Sequence, residues 1–215
     1  VVVLRGAGRA FCAGIDIKES IAANNLRNPA DGLRAQRRIS EIVMRMRRAP
    51  QPIVSLINGA AAGGGFAFAL ASDVRIAVPA ARMNAAFIKL GLSACDIGVS
   101  YFLPRLIGAS AAAEYMLTGR FIDADKALKL GLVSEVVPEE KLEEVGRALV
   151  ADMLNASPIG LRLTKECLNM GIDAPSLESA IAMEDRNQIL CTASDEFAEG
   201  MRAFLEKRPP RYAST

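Results

Sequence analysis

Three consecutive glycines, Gly63-Gly64-Gly65, stand between two strongly apolar segments and constrain the fold more than any other feature of this chain. Before them runs Pro52-Ile53-Val54-Ser55-Leu56-Ile57, a buried strand by composition, turned by Asn58-Gly59. After them Phe66 to Ala71 reads as a short apolar helix. A helix opening on glycine exposes backbone N–H groups that lack intrahelical partners and lets another chain segment or a ligand approach the backbone closely. The same alternation recurs on either side. Val1-Val2-Val3-Leu4 is a β-branched run closed by Gly6-Ala7-Gly8 and reads as a strand buried on both faces. Leu33 to Ala49 is a basic amphipathic helix with Leu33, Ile39, Ile42, Val43 and Met46 on its apolar face, stopped by Pro50 and Pro52. Asn24 to Gly32 reads as the loop before it. Val74 to Val78 is a third strand. Strand, helix, strand, helix, strand argues for an α/β fold with parallel pairing.

From Asp96 onward the pattern is mostly helical. Helices are expected over 138–155, 158–170, 175–190 and 195–207, with Val133 to Val137 as the one intervening strand. We therefore expect an α/β core over residues 1–137 and a helical region over 138–215, together one folding unit. A chain that opens inside a core strand also leads us to expect further strands upstream of Val1.

The absence of histidine among the 215 residues excludes Ser–His–Asp and Cys–His catalysis and imidazole metal ligands. Proton transfer must then use carboxylates, Lys, Tyr, Cys or water. Cys12, Cys95, Cys167 and Cys191 include no C-x-x-C pair, so they read as buried reduced thiols and no metal is expected. A net charge of +2 is too even for a nucleic-acid partner. The longest apolar stretch, Ala60 to Ala71, is too short to span a membrane. With no secretory signal visible, we expect a cytoplasmic protein. Gly6-Ala7-Gly8 begins like a dinucleotide fingerprint, but Phe11 occupies the place of its third glycine.

Two stretches taken together are more informative. Gly6-Ala7-Gly8-Arg9-Ala10-Phe11-Cys12-Ala13-Gly14-Ile15-Asp16-Ile17-Lys18 and Pro52 to Gly65 resemble the paired signature of the crotonase (enoyl-CoA hydratase/isomerase) family. The resemblance continues through Ala71 to Ala77, Leu117 to Arg120, Ala127 to Val133 and Phe197 to Arg208, nearly the whole chain. It implies a spiral of repeated ββα units followed by a helical trimerisation region, with homotrimers or dimers of trimers as the assembly. It implies an acyl-CoA substrate, with coenzyme A entering as part of that substrate and no separate cofactor. The backbone N–H groups of Ile15 and Gly64 would form an oxyanion hole that stabilises a thioester enolate. Ala13, Ile17, Lys18 and Lys207 would contact coenzyme A. Asp16 would brace its loop.

The sequence departs from the family at the two glutamates that hydrate 2-enoyl-CoA. Their places hold Ala67 and Phe87, which can neither activate water nor deliver a proton. Asp96, in Ser93-Ala94-Cys95-Asp96-Ile97-Gly98, resembles the aspartate of branches that include dienoyl-CoA isomerases and an aryl-CoA dehalogenase. It reads equally as a general base and as the cap of a helix starting near Ile97. Glu114 and Tyr101 are secondary candidates, with solvated and core roles preferred respectively. The expected function is proton transfer on an unsaturated acyl-CoA. The alternatives are acyl-CoA hydrolysis or decarboxylation, and a silent coenzyme A-binding protein.

Overall fold

The computed structural model describes residues 1–18 and 28–212 of the chain. Two compact units divide it. One comprises Val3–Arg47 and Ile53–Gly146; the other comprises Val1–Val2, Arg48–Pro52 and Arg147–Thr215.

The first unit is built on alternation. Strands β1 (Val2–Arg5), β3 (Ile53–Ile57), β5 (Val74–Ala77) and β8 (Glu135–Val136) form one sheet in that order. Strands β2 (Ala10–Cys12), β4 (Ala60–Ala62), β6 (Arg82–Asn84) and β7 (Ile122–Asp123) form the other. Strands β1 to β6 thus go to alternate sheets, and helices α1 (Pro29–Arg48) and α2 (Gly64–Ala71) follow the first two pairs. This is the expected ββα repetition. β3 pairs parallel with β5, β5 with β8, β2 with β4 and β4 with β6, whereas β6 and β7 run antiparallel. All five residues of β3 are buried. Parallel strands covered on both faces carry such continuous apolar runs.

Two expectations need correction. Among the described residues β1 lies at the end of its sheet, and Val2 and Val3 are 39% and 45% exposed rather than buried. An apolar run does not distinguish a central strand from an edge. Helix α1 begins at Pro29, inside the expected loop, whose residues 24–27 lie outside the described residues. Asn28 explains the early start: its side-chain oxygen accepts from the Ala30 N–H, and Pro29 fits the first helical position. Of the expected apolar face only Val43 is buried, while Leu33, Ile39 and Ile42 are exposed.

Beyond β6, a 3-10 turn (Ala86–Leu90) leads to α3 (Val99–Ile107), α4 (Ala109–Thr118) and α5 (Ala124–Lys129). The chain then enters α6 (Leu142–Leu154). The second unit holds α7 (Pro158–Gly171), α8 (Leu177–Thr192) and α9 (Asp195–Leu205), each capped by a serine side chain at its N-terminus. None of the described helices is long and apolar enough to cross a membrane.

Candidate active site

The two glycine-bearing stretches, about fifty residues apart in sequence, meet side by side. β2 pairs with β4 through Ala10 opposite Ala60 and Cys12 opposite Ala61. Asn58 secures the turn leading into β4: its amide donates to the Gly8 carbonyl at 2.8 Å and its oxygen accepts from the Gly6 N–H at 3.1 Å. Past the strands, α2 starts hard against the end of β2. A methyl group on Gly65 would stand 2.0 Å from the Cys12 carbonyl oxygen, so only glycine fits. Gly14 has a φ of +96°, a conformation that L side chains rarely adopt. A methyl there would stand 3.0 Å from the Ala62 oxygen and 3.8 Å from the Gly64 nitrogen.

Ile15 therefore follows directly on the residue that faces Gly64. Its side chain is 65% exposed, so its backbone rather than its side chain belongs to this junction. Gly64 is the first residue of α2, where N–H groups have no intrahelical acceptor. Among the described residues, neither Ile15 N–H nor Gly64 N–H donates to another backbone group in a turn or loop. The far end of α2 is held by a buried cation. Arg75 donates to the carbonyls of Ser72 at 2.6 Å, Ala69 at 3.3 Å and Leu132 at 2.7 Å. A cation at a helix C-terminus complements the dipole. Burial, and secondarily the neighbouring Arg47, lower the Arg75 pKa to about 10, which still leaves it charged near neutrality. Asp73 joins this end by accepting from Arg47 at 3.2 Å and from the Ile53 N–H at 2.8 Å.

The segment bearing Asp96 reaches Gly64 through its neighbour Ile97. Ile97 and Gly98 both have positive φ, 35° and 95°, and form a tight turn before α3. The turn places Ile97 Cδ1 3.8 Å from where a Gly64 side chain would start. Asp96 is half-buried. Its Oδ1 accepts from the Ile97 N–H at 2.8 Å and from Gln36 Nε2, on α1, at 2.5 Å. It is not the helix cap that the sequence suggested as one of its two readings. The capping residue of α3 is Gly98, with no side-chain bond, and the Asp96 carboxylate bonds the very next N–H instead. Gln36 escaped the sequence reading because it sits sixty residues away on a helix face with no local motif.

The other expected residues fall as follows. Ala67 is fully buried on α2, and the Phe87 ring lies 3.4 Å from a side chain placed on Gly63. Apolar groups thus occupy the two places where the resemblance leads one to expect glutamates. Ala13, Ile17 and Lys18 are exposed around the β2 loop. The Asp16 carboxylate accepts from the Lys18 N–H at 2.8 Å, bracing that loop. Lys207 is exposed in the second unit, with a positive φ of 52°. Arg208 beside it donates two hydrogen bonds to Glu199, at 2.7 and 3.1 Å. Those donors, with the Arg211 N–H, hold the Glu199 pKa down at about 2. Glu114 is exposed and 3.9 Å from Arg120. Tyr101 is not in the core: it is 41% exposed, with the Arg105 guanidinium 3.7 Å from its ring centre. The cysteines are free but not buried; Cys95 is exposed and the other three are half-buried.

Comparison with known proteins places these features in a lineage. The family model for enoyl-CoA hydratase/isomerase matches residues 1–215. A Mycobacterium bovis protein named probable enoyl-CoA hydratase is 43% identical over 98% of this chain and 75% of its own length. The 1,2-epoxyphenylacetyl-CoA isomerase of Escherichia coli is 33% identical over 98% of this chain and 80% of its own. The crystal structure of enoyl-CoA hydratase from Bacillus anthracis superposes with a TM-score of 0.90 at 36% identity, over 98% of this chain and 80% of that one.

Proposed function

The chain belongs to the enoyl-CoA hydratase/isomerase family, and from that premise we propose that it moves a proton on an unsaturated acyl-CoA through a thioester enolate. The junction of Gly14, Gly64 and Ile97 carries this reading, because it draws the segments of Ile15, Gly64 and Asp96 to one place. The thioester oxygen accepts from the N–H groups of Ile15 and Gly64. Asp96 removes a proton from C2 of a 3-enoyl thioester. The electron pair moves onto the thioester oxygen, where two fixed donors hold the charge more strongly than they held the carbonyl. The carboxyl then returns the proton to C4, leaving the 2-enoyl product. Loss of one such donor costs about 3 kcal/mol in the barrier by analogy with other oxyanion holes. Ala13, Ile17 and Lys18 border the coenzyme A.

A hydratase of the two-glutamate kind does not suit Ala67 and Phe87. The same two residues favour a second reading, a coenzyme A-binding protein without turnover. Mass spectrometry of the products from a panel of CoA thioesters tests the proposal. Double-bond shift in 3-enoyl-CoA supports it. Release of free coenzyme A points to hydrolysis, and binding without any conversion points to the silent protein; either result ends the isomerase reading.

A further inference from the structure

Gln36 reaches Asp96 from a helix that is remote from it in sequence, and both hydrogen bonds that Asp96 accepts fall on the same oxygen. Oδ1 takes the Ile97 N–H and the Gln36 amide; among the described residues Oδ2 has no partner. The Ile97–Gly98 turn fixes the backbone beneath the carboxylate through two positive φ angles. A methyl on Gly98 would meet the Phe102 ring at 2.7 Å, so the turn cannot relax around a larger residue without moving that ring. The backbone is thus set by the turn, and rotation of the side chain is set by the amide.

We infer that Gln36 is a positioning residue: by holding Oδ1 of Asp96 it turns Oδ2 toward the reacting carbon as the single proton-accepting oxygen. The inference rests on the proposed role of Asp96 as base. A carboxylate free to rotate presents either oxygen in many orientations, and proton transfer depends on distance and alignment to the acceptor. Gln36 acts without touching substrate. Its loss is therefore felt in turnover and not in substrate affinity. An amide is suited to the task, since it donates at neutral pH without adding charge beside the base.

The test is the rate of the double-bond shift from 3-butenoyl-CoA to 2-butenoyl-CoA, followed by the absorbance of the conjugated thioester at varied substrate concentration. The variants are Q36M, Q36N and Q36E, each also combined with D96N. Q36M keeps the side-chain length without a donor, Q36N keeps the donor but falls short, and Q36E presents a carboxylate. We expect Q36M and Q36N to lower kcat by about tenfold, the worth of one hydrogen bond to a charged group, with KM within about twofold of the parent. Q36E falls at least as far. In the D96N background Q36M causes no further loss. Wild-type kcat in Q36M, or an effect confined to KM, overturns the inference and leaves Gln36 as packing. If D96N isomerises as fast as the parent, or the parent does not isomerise at all, the base assignment itself has failed and the positioning role falls with it. Gln36 is exposed on α1, so the variants are expected to fold, which melting curves check.

Discussion

Gly64 and Gly65 are neighbours, yet a methyl group added to each meets different surroundings. At Gly64 the nearest group is Ile97 Cδ1 at 3.8 Å, an ordinary contact. At Gly65 it is the Cys12 carbonyl oxygen at 2.0 Å, a clash with backbone that cannot rotate away. Gly64→Ala is expected to fold, with stability within about 1 kcal/mol of the parent by urea denaturation. It should nonetheless lose turnover, since the methyl stands beside the proposed donor. Gly65→Ala is expected to lose more than about 3 kcal/mol, because overpacking against fixed backbone forces strand and helix apart. Asp96→Asn should slow the double-bond shift by about a hundredfold or more, the usual worth of a positioned base; an undiminished rate in that variant would remove Asp96 from the mechanism. The close meeting of the two glycine-bearing stretches was legible in the sequence. Gln36 was not, because its partner is joined to it only by the tertiary fold.

At the scale of elements, α2 is an eight-residue apolar helix whose last carbonyls are satisfied by the guanidinium of Arg75. Replacing that group with the similarly sized Met removes three hydrogen bonds to buried carbonyls. Arg75→Met is expected to cost about 3 kcal/mol or more in denaturant titration, a loss that a surface arginine would not show. The tail of α9 is pinned by charge instead. Glu199 has a folded pKa of about 2 against an ordinary 4.5, so its pairing stabilises the fold above pH 4.5 and that contribution is lost as pH falls toward 2. Glu199→Gln should flatten the dependence of stability on pH across that window. Long elements such as β3 and α7 to α9 could be read from composition and period. The three-residue strands β2, β4 and β6 could not, since a strand that short carries no alternation to detect and exists by pairing. The place of β1 at the end of its sheet and the Asn28-Pro29 start of α1 escaped for related reasons. One depends on neighbours, and the other on a cap lying within residues that otherwise read as loop.

At the scale of the whole molecule, the second unit presents large apolar side chains to solvent. Leu177 and Ile189 on α8, with Phe204 and Leu205 on α9, are 70%, 68%, 80% and 75% exposed. Such exposure on adjacent helices is more than an isolated chain ordinarily carries. We expect the protein to sediment as a trimer or a pair of trimers, and a stable monomer at micromolar concentration would refute this. The sorting of β1 to β6 into alternate sheets has a further consequence, for the order of assembly. The segment bearing Ile15 has its sheet partner in β4, which is made about fifty residues later. During synthesis the first half of the proposed oxyanion hole waits for the second repeat to emerge and dock, and pairings over such distances form slowly. Capture of an acyl-CoA by a nascent chain would therefore time the stacking of one repeat on another.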